Sequence, residues 1–114
     1  MTLQEAQQQK PLPPSGLTII QLPDGLQLQW QAVRGSIAHY TIYRIEEKGK
    51  PQKIESITAW KETELQTNRK YEFTDTTPQN GFSYTYSISA THINGNESDP
   101  SDEVNVRYQT PTVE

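Results

Sequence analysis

The chain has 114 residues, of which 32% are hydrophobic, and it carries a formal net charge of −4. A chain of this length accommodates one domain with its tails, because two domains would leave neither with a core of its own. The acidic balance, without a cluster of basic residues, excludes the electrostatic pattern of a nucleic-acid-binding protein, and the lack of cysteine excludes a disulfide framework, a thiolate metal site and a cysteine nucleophile.

The two ends of the sequence are typical of tails around one folded unit. Residues 1–14 are rich in glutamine and then in proline, a composition that favours extended backbone. We predict a flexible tail or linker at 1–14, one domain at 15–109 and a C-terminal tail at 110–114. No stretch approaches the roughly 18 apolar residues of a membrane helix, and the N-terminus lacks the pattern of a signal peptide. We expect no membrane insertion by this segment.

From residue 16 onward, short apolar segments alternate with turn signals, which is typical of an all-β sandwich. In the second segment Leu26, Leu28 and Trp30 share one face. In the sixth, apolar residues alternate with serine and threonine, which predicts a half-buried strand with its polar face in water or against a partner. Seven strands are predicted in chain order, at residues 16–22, 25–31, 39–46, 52–60, 70–74, 81–92 and 102–108. The polar segment 61–69 is predicted to be a loop.

Two turns are marked by glycine, at Pro23-Asp24-Gly25 and at Asn94-Gly95-Asn96. Hairpin turns demand positive φ angles, which Asn, Asp and Gly accept more readily than other residues. We therefore predict tight reversals at both places.

Three groups of residues together resemble the fibronectin type III family. They are Trp30 near the end of the second strand, Tyr40-x-Ile42 on the third, and Tyr84-x-Tyr86-x-Ile88-x-Ala90 on the sixth. The resemblance covers residues 13–108 and implies a seven-stranded antiparallel β-sandwich of immunoglobulin-like topology. It also implies that Trp30 lies between the sheets and that Tyr84 is the tyrosine-corner residue, whose hydroxyl bonds a nearby backbone group. The predicted structural core comprises Trp30, Tyr40, Ile42, Tyr84, Tyr86 and Ile88.

A narrower likeness lies in Tyr40-Thr41-Ile42-Tyr43-Arg44 and in the stretch at 95–101. Both are similar to type III modules attached to bacterial secreted and surface glycoside hydrolases, including family-10-like enzymes. The likeness implies an exported bacterial parent protein and an extracellular, cell-surface or periplasmic location. No Arg-Gly-Asp triplet occurs, so integrin binding of the animal fibronectin kind is not supported.

No residue pattern points to catalysis. His39 and His92 fall on strands that the family places side by side, but no third metal ligand accompanies them. Ser83, Ser87 and Ser89 are predicted to point outward, without a base in register to activate them. We therefore expect no catalytic residue, no metal ion and no cofactor, and we interpret the domain as non-enzymatic.

The only predicted interaction surface is an apolar and aromatic patch comprising Tyr43, Ile45, Ile57 and Trp60. If these side chains are exposed together, they form an interface; the alternative is that Trp60 folds back over the edge of the core. Two functions stay open. The first is a monomeric accessory or spacer module that packs against adjoining domains of a larger protein. The second is a module that binds a polysaccharide or another surface protein through the patch.

Overall fold

The computed structural model describes residues 11–33, 35–46, 49–59 and 70–109. Every predicted strand forms, and its ends lie within two residues of the predicted ones, the usual scatter of strand boundaries. The strands are β1 (Thr18–Leu22), β2 (Gly25–Gln31), β3 (Ile37–Glu46), β4 (Gln52–Thr58), β5 (Lys70–Asp75), β6 (Ser83–His92) and β7 (Val104–Arg107). Over these ranges there is no helix with the length and apolarity to cross a bilayer.

The strands form two antiparallel sheets, ordered β1-β2-β5 and β4-β3-β6-β7. The predicted all-β, fibronectin-type sandwich is therefore confirmed. The longest strands, β3 and β6, pair with each other at the centre of the larger sheet, with Ile42 opposite Ile88. In the smaller sheet Trp30 lies opposite Tyr71. Directly opposed residues of an antiparallel pair project from the same face, so these pairs line the space between the sheets.

The core is built around Trp30, which has no solvent exposure. Its indole stacks on Tyr71 with ring centroids 5.8 Å apart and meets the edge of Tyr40 at 5.8 Å. Each aromatic contact of this kind adds about 0.5–1.5 kcal/mol beyond area burial. The Tyr40 hydroxyl accepts a hydrogen bond from the Val33 amide at 2.8 Å, and burial raises the pKa of Tyr40 to about 12. The residues predicted as core are all buried: Trp30, Tyr40, Ile42, Tyr84, Tyr86 and Ile88.

The two turn glycines have different roles. Gly95 has a φ of +95°, as predicted for its turn. The predicted reversal at Pro23-Asp24-Gly25 also forms, with Leu22 opposite Gly25, although Gly25 is not among the glycines with positive φ. A Cβ at Gly25 would lie 2.5 Å from the backbone oxygen of Asp75. This position requires glycine because β2 and β5 approach closely there.

The chain enters and leaves the sandwich at opposite ends. The carbonyl of Ser15 accepts a hydrogen bond from the Gln31 amide at the far end of β2. The amide of Gln109 donates to the side chain of Gln21 at 2.9 Å, near the turn where β1 passes into β2. Gln21 lies six positions after Ser15, so at about 3.4 Å per strand residue the two anchor points lie about 20 Å apart.

Candidate functional site

Tyr43 and Arg44 are consecutive residues of β3. Each belongs to a cluster of polar side chains, and the two clusters lie on opposite faces of the larger sheet. Tyr43 lies opposite Ser87 and Arg44 opposite Tyr86, and successive strand residues point to opposite faces. We call Tyr43, Ser89 and Glu97 the outer cluster, because they lie on the solvent side of the sheet. The inner cluster consists of Arg44, Asp75 and Tyr86, which lie between the sheets, and of the exposed residues Glu46 and Thr77 at its edge.

The outer cluster is centred on the carboxylate of Glu97. The hydroxyls of Tyr43 and Ser89 each donate to Glu97 Oε2 at 2.5 Å. Hydrogen bonds from Ser89 and Tyr43 hold the pKa of Glu97 below its usual range, and the bond to Glu97 raises the pKa of Tyr43. Glu97 is therefore an anion at neutral pH, and Oε1 keeps the acceptor capacity that a carboxylate has beyond two bonds.

Glu97 is positioned by the segment at 97–103, which runs along the edge of β6. Every third residue of this segment, first Ser98 and then Ser101, is hydrogen-bonded to the β6 backbone. The Ser98 amide donates to the carbonyl of Ala90, and the Ser98 hydroxyl accepts from the Ala90 amide at 2.9 Å. Ser101 repeats both bonds with Ile88. Each serine thus satisfies a buried amide that would otherwise need a strand partner. The side chains between the two serines are directed away from β6.

The polar face of β6 is buried, contrary to the sequence-based prediction. Ser87, Ser89 and Thr91 are buried, with exposed fractions of 8%, 1% and 9%. They were predicted to face water or a partner. The segment at 97–103 lies along the edge of β6, and its Glu97 side chain accepts a hydrogen bond from the Ser89 hydroxyl on this face. Ser83 remains half-buried at the end of the strand.

A groove of about 250 Å³ lies on the outer face between β3 and this segment. Its floor is formed by the small side chains Ser87 and Ser89, which leave a depression between bulkier neighbours. One wall carries Tyr43 and Pro51, and the other carries Pro100 and Glu103. The lining residues are Tyr43, Pro51, Ser87, Ser89, Glu97, Ser98, Pro100 and Glu103. The groove therefore combines an aromatic ring, two prolines and two carboxylates.

The inner cluster is centred on Asp75, whose side chain is 4% exposed. Arg44 Nη1 donates to Asp75 Oδ2 at 2.7 Å, and the Tyr86 hydroxyl donates to the same oxygen at 2.7 Å. The amide and hydroxyl of Thr77 donate to Oδ1. Because Arg44 and Tyr86 belong to one sheet and Asp75 to the other, the cluster ties the two sheets together.

Arg44 is the one cation of the cluster and is shared between two carboxylates, Asp75 and Glu46, while its buried Nε has no hydrogen-bond partner among the described residues. Its Nη2 donates to Glu46 at 2.7 Å, and its guanidinium carbon lies 5.4 Å from the ring centre of Tyr84. Burial alone would raise the pKa of Asp75, but the hydrogen bonds from Thr77, Tyr86 and Arg44 hold it below its usual range. Burial and the bond to Asp75 raise the pKa of Tyr86. These groups are engaged with one another, so the cluster stabilises the sandwich.

Tyr84 lies beside this cluster and has the geometry of a tyrosine corner. Its hydroxyl accepts a hydrogen bond from the Gln79 amide at 2.7 Å, five residues upstream. The bond fixes the crossing from β5 in one sheet to β6 in the other.

The predicted patch is not assembled as one surface. Tyr43 lies opposite Ser87 and Ile45 opposite Thr85 on the outer face. Ile57 lies opposite Tyr40 and packs against the core, so it does not share the outer face with Tyr43 and Ile45. Residue identity alone did not reveal which face of β4 points inward, because a register shift interrupts the pairing with β3 after Ile42. Trp60 lies outside the described residues.

Sequence reasoning missed Arg44, Asp75 and Glu97. A signal for Arg44 was available: it continues the inward alternation of Tyr40 and Ile42, and an inward arginine requires an anionic partner. No comparable pattern identifies Glu97, because its position depends on the three-residue steps of the serines. Among the described residues, no three histidine, aspartate or glutamate side chains converge as metal ligands do.

The model of the family described as Fibronectin type III domain matches residues 12–107. Three similar solved structures are the twitchin kinase region from C. elegans (TM-score 0.69, 20% identity), the beta-1,2-glucanase from Parabacteroides distasonis (0.66, 18%) and pectate lyase PelI from Erwinia chrysanthemi in complex with tetragalacturonic acid (0.63, 20%). The matches cover 89%, 90% and 79% of this chain but only 17%, 13% and 27% of those chains. At these identities the likeness shows the fold alone. No curated protein matches the sequence.

Proposed function

Since this chain belongs to the fibronectin type III family, whose modules are commonly accessory domains and generally non-catalytic, we propose that it is a monomeric spacer module of a longer protein. In this role it fixes the separation of the domains on either side and packs against them. The observation that carries the proposal is the attachment of the chain at opposite ends of the sandwich. Ser15 is bonded to the far end of β2, and Gln109 is bonded near the end of β1.

The polar residues between the sheets support a rigid spacer. The inner cluster joins β3 and β6 of one sheet to β5 of the other through Asp75. Both anchor points lie along the pairing of β1 with β2 in the smaller sheet, and the larger sheet is held against it by these buried charge-assisted bonds. Bonds of this kind are roughly twice as strong as bonds between neutral groups. The sandwich therefore resists stretching and bending between its attachment points.

We propose further that the parent protein is an exported bacterial enzyme that degrades carbohydrate, such as a glycoside hydrolase, located outside the cytoplasm. The stretches at 40–44 and 95–101 support this proposal, as does the likeness to parts of a beta-1,2-glucanase and a pectate lyase. The test is an assay of the full-length protein on β-glucans and pectins, with and without residues 15–109. We expect cleavage in both forms; absence of cleavage in the full-length protein on every polysaccharide would contradict this proposal.

The spacer role is tested by placing residues 11–109 between two fluorescent proteins and measuring energy transfer. A Gly/Ser linker of equal length is the control, and it behaves as a flexible coil with an end-to-end distance of roughly 50 Å. The folded module holds its ends about 20 Å apart. We expect higher transfer than in the control and a loss of that difference in urea. Equal transfer in the two fusions under native conditions would refute the spacer role.

A second candidate function is a carbohydrate- or protein-binding module, and the groove beside Tyr43 favours it. Polysaccharide fragments are the probes for the carbohydrate form, with amide chemical shifts of the labelled domain as the readout. Shifts confined to Tyr43, Ile45 and the groove floor would establish such a module. Shifts that also include Trp60 would show that the binding surface extends to that residue, as the sequence predicts. An unchanged spectrum with every fragment would remove the carbohydrate form.

A further inference from the structure

We propose that the outer groove is a docking site for an arginine side chain presented by a peptide segment of a protein partner. This proposal goes beyond the spacer role, and neither depends on the other. It rests on the size of the groove, on the kind of hydrogen-bonding groups that line it, and on the charge of the segment that forms its wall.

The size of the groove favours a side chain over an oligosaccharide. Its volume is about 250 Å³, whereas pockets that enclose drug-sized ligands span about 300–1,000 Å³. The floor is narrow because only Ser87 and Ser89 of β6 leave room between Tyr43 and Pro100. A long, thin side chain fills such a depression while its backbone passes over the rim.

The polar groups of the outer cluster favour a hydrogen-bond donor. The hydroxyl hydrogens of Tyr43 and Ser89 are both used in bonds to Glu97. What these groups still offer an incoming ligand is acceptor capacity, chiefly on the carboxylate of Glu97. A guanidinium presents five N–H donors and no acceptor, and its planar fork matches a carboxylate. A sugar hydroxyl, which both donates and accepts, is a poorer match.

The wall formed by the segment at 97–103 is negative, while the basic residue Lys53 lies opposite Tyr43 on β4 at the other wall. The segment at 97–103 carries four carboxylates and no basic residue, and two of them, Glu97 and Glu103, line the groove. Tyr43 is half-buried and forms the opposite wall, where its ring can contact a guanidinium held between the walls. Charge and ring chemistry together select arginine, and they disfavour an acidic ligand such as a galacturonate oligomer.

The test is an amide chemical-shift titration of the labelled domain with a blocked tri-arginine peptide. Tri-glutamine, a neutral β-glucan fragment and a galacturonate oligomer are the comparison probes. We expect tri-arginine to shift Tyr43, Ser87, Ser89 and Glu97, and the shifts to weaken as salt is added. Shifts at these residues with the glucan fragment but not with tri-arginine would overturn the proposal. No shift with tri-arginine would overturn it as well.

Glu103→Gln is the decisive variant because Glu103 lies outside the hydrogen bonds that hold the outer cluster together. The matched control is Glu72→Gln, which removes the same charge from an exposed position on β5 in the other sheet. We expect Glu103→Gln to weaken tri-arginine binding by about two- to fivefold, the effect of one exposed ion pair, and Glu72→Gln to leave it unchanged. Equal weakening by both variants would show a general attraction to an acidic protein and would overturn the site.

Neither variant changes the ends of the sandwich, so the energy-transfer test of the spacer gives an independent answer.

Discussion

Tyr43 and Arg44 are consecutive residues of β3, and each is bonded to a carboxylate, yet the two carboxylates lie in different environments. Asp75 is buried between the sheets and is bonded by Arg44, Tyr86 and Thr77. Glu97 is exposed and is bonded by Tyr43 and Ser89. The difference shows how one strand serves two purposes. Charges on its inner face are paired and hold the fold, while an anion on its outer face retains capacity for a ligand.

The largest expected effect comes from removing the inner anion. Asp75→Ala leaves the Arg44 guanidinium buried without its main partner, which costs about 3–5 kcal/mol of unfolding free energy. Urea unfolding followed by circular dichroism measures this loss. The double variant Arg44→Met/Asp75→Leu replaces the pair with apolar groups, and we expect it to be more stable than Asp75→Ala. A loss below about 1 kcal/mol in Asp75→Ala would show that the inner pair does not hold the fold.

The next largest difference expected between Asp75 and Glu97 is their contribution to the pH dependence of stability. Because the folded-state pKa of Asp75 is lower than its usual value, the unfolded chain binds its proton more readily. The stabilisation is present above about pH 4, the unfolded value, and it is lost as the pH falls through the folded value. We expect the fall in the urea midpoint between neutral and acidic pH to be smaller in Asp75→Asn. Glu97→Gln should reduce this fall far less, and an equal reduction would contradict the contrast.

A moderate effect is expected at the serines that position the outer segment. Ser98→Ala removes the hydroxyl that accepts from the buried amide of Ala90, and an unsatisfied buried amide costs about 1–3 kcal/mol. Ser101→Ala should cause a similar loss, because the Ser101 hydroxyl accepts from the buried amide of Ile88. Ser83→Ala, at the half-buried end of β6, is the control and should change little. Thermal unfolding measures the loss of stability in the three variants. A loss in Ser83→Ala larger than in Ser98→Ala and Ser101→Ala would contradict this prediction.

The smallest effect is expected from Glu97→Gln. The anion is exposed, so its hydrogen bonds to Tyr43 and Ser89 are screened by solvent and contribute about 0–1 kcal/mol. We expect near wild-type stability together with weakened tri-arginine binding. The urea midpoint and the shift titration of the same sample test both statements. A stability loss as large as that of Asp75→Ala would mean that the outer cluster is a structural element as well.

Features of the fold that follow from local sequence patterns could be predicted, whereas features that depend on tertiary contacts could not. Alternating residues such as Leu26, Leu28 and Trp30 predict a strand and its buried face, because period-two patterns follow directly from strand geometry. The sandwich and its core were therefore predictable. The corner at Tyr84 was predictable as well, once the resemblance to the family had been stated.

The candidate site was predictable only in part. Tyr43 and Ile45 lie on the outer face, whereas Ile57, grouped with them in the predicted patch, packs against the core. Glu97 was overlooked because it joins Tyr43 through a contact between residues 54 positions apart. Ser87 and Ser89 are buried on the outer face, which the alternation of a single strand does not indicate because it depends on the neighbouring elements. Gly25 likewise depends on the close approach of Asp75, which is a tertiary contact.

The most direct test of the account is the distance between the two ends of the sandwich. The chain has no cysteine, so Ser15→Cys and Gln109→Cys provide unique sites for nitroxide labels, and both native side chains are exposed. Pulsed electron paramagnetic resonance then reports the distribution of their separation. A rigid spacer predicts one narrow distribution for backbone positions about 20 Å apart, broadened only by the labels. A broad distribution extending toward the roughly 50 Å of a flexible coil would contradict the account.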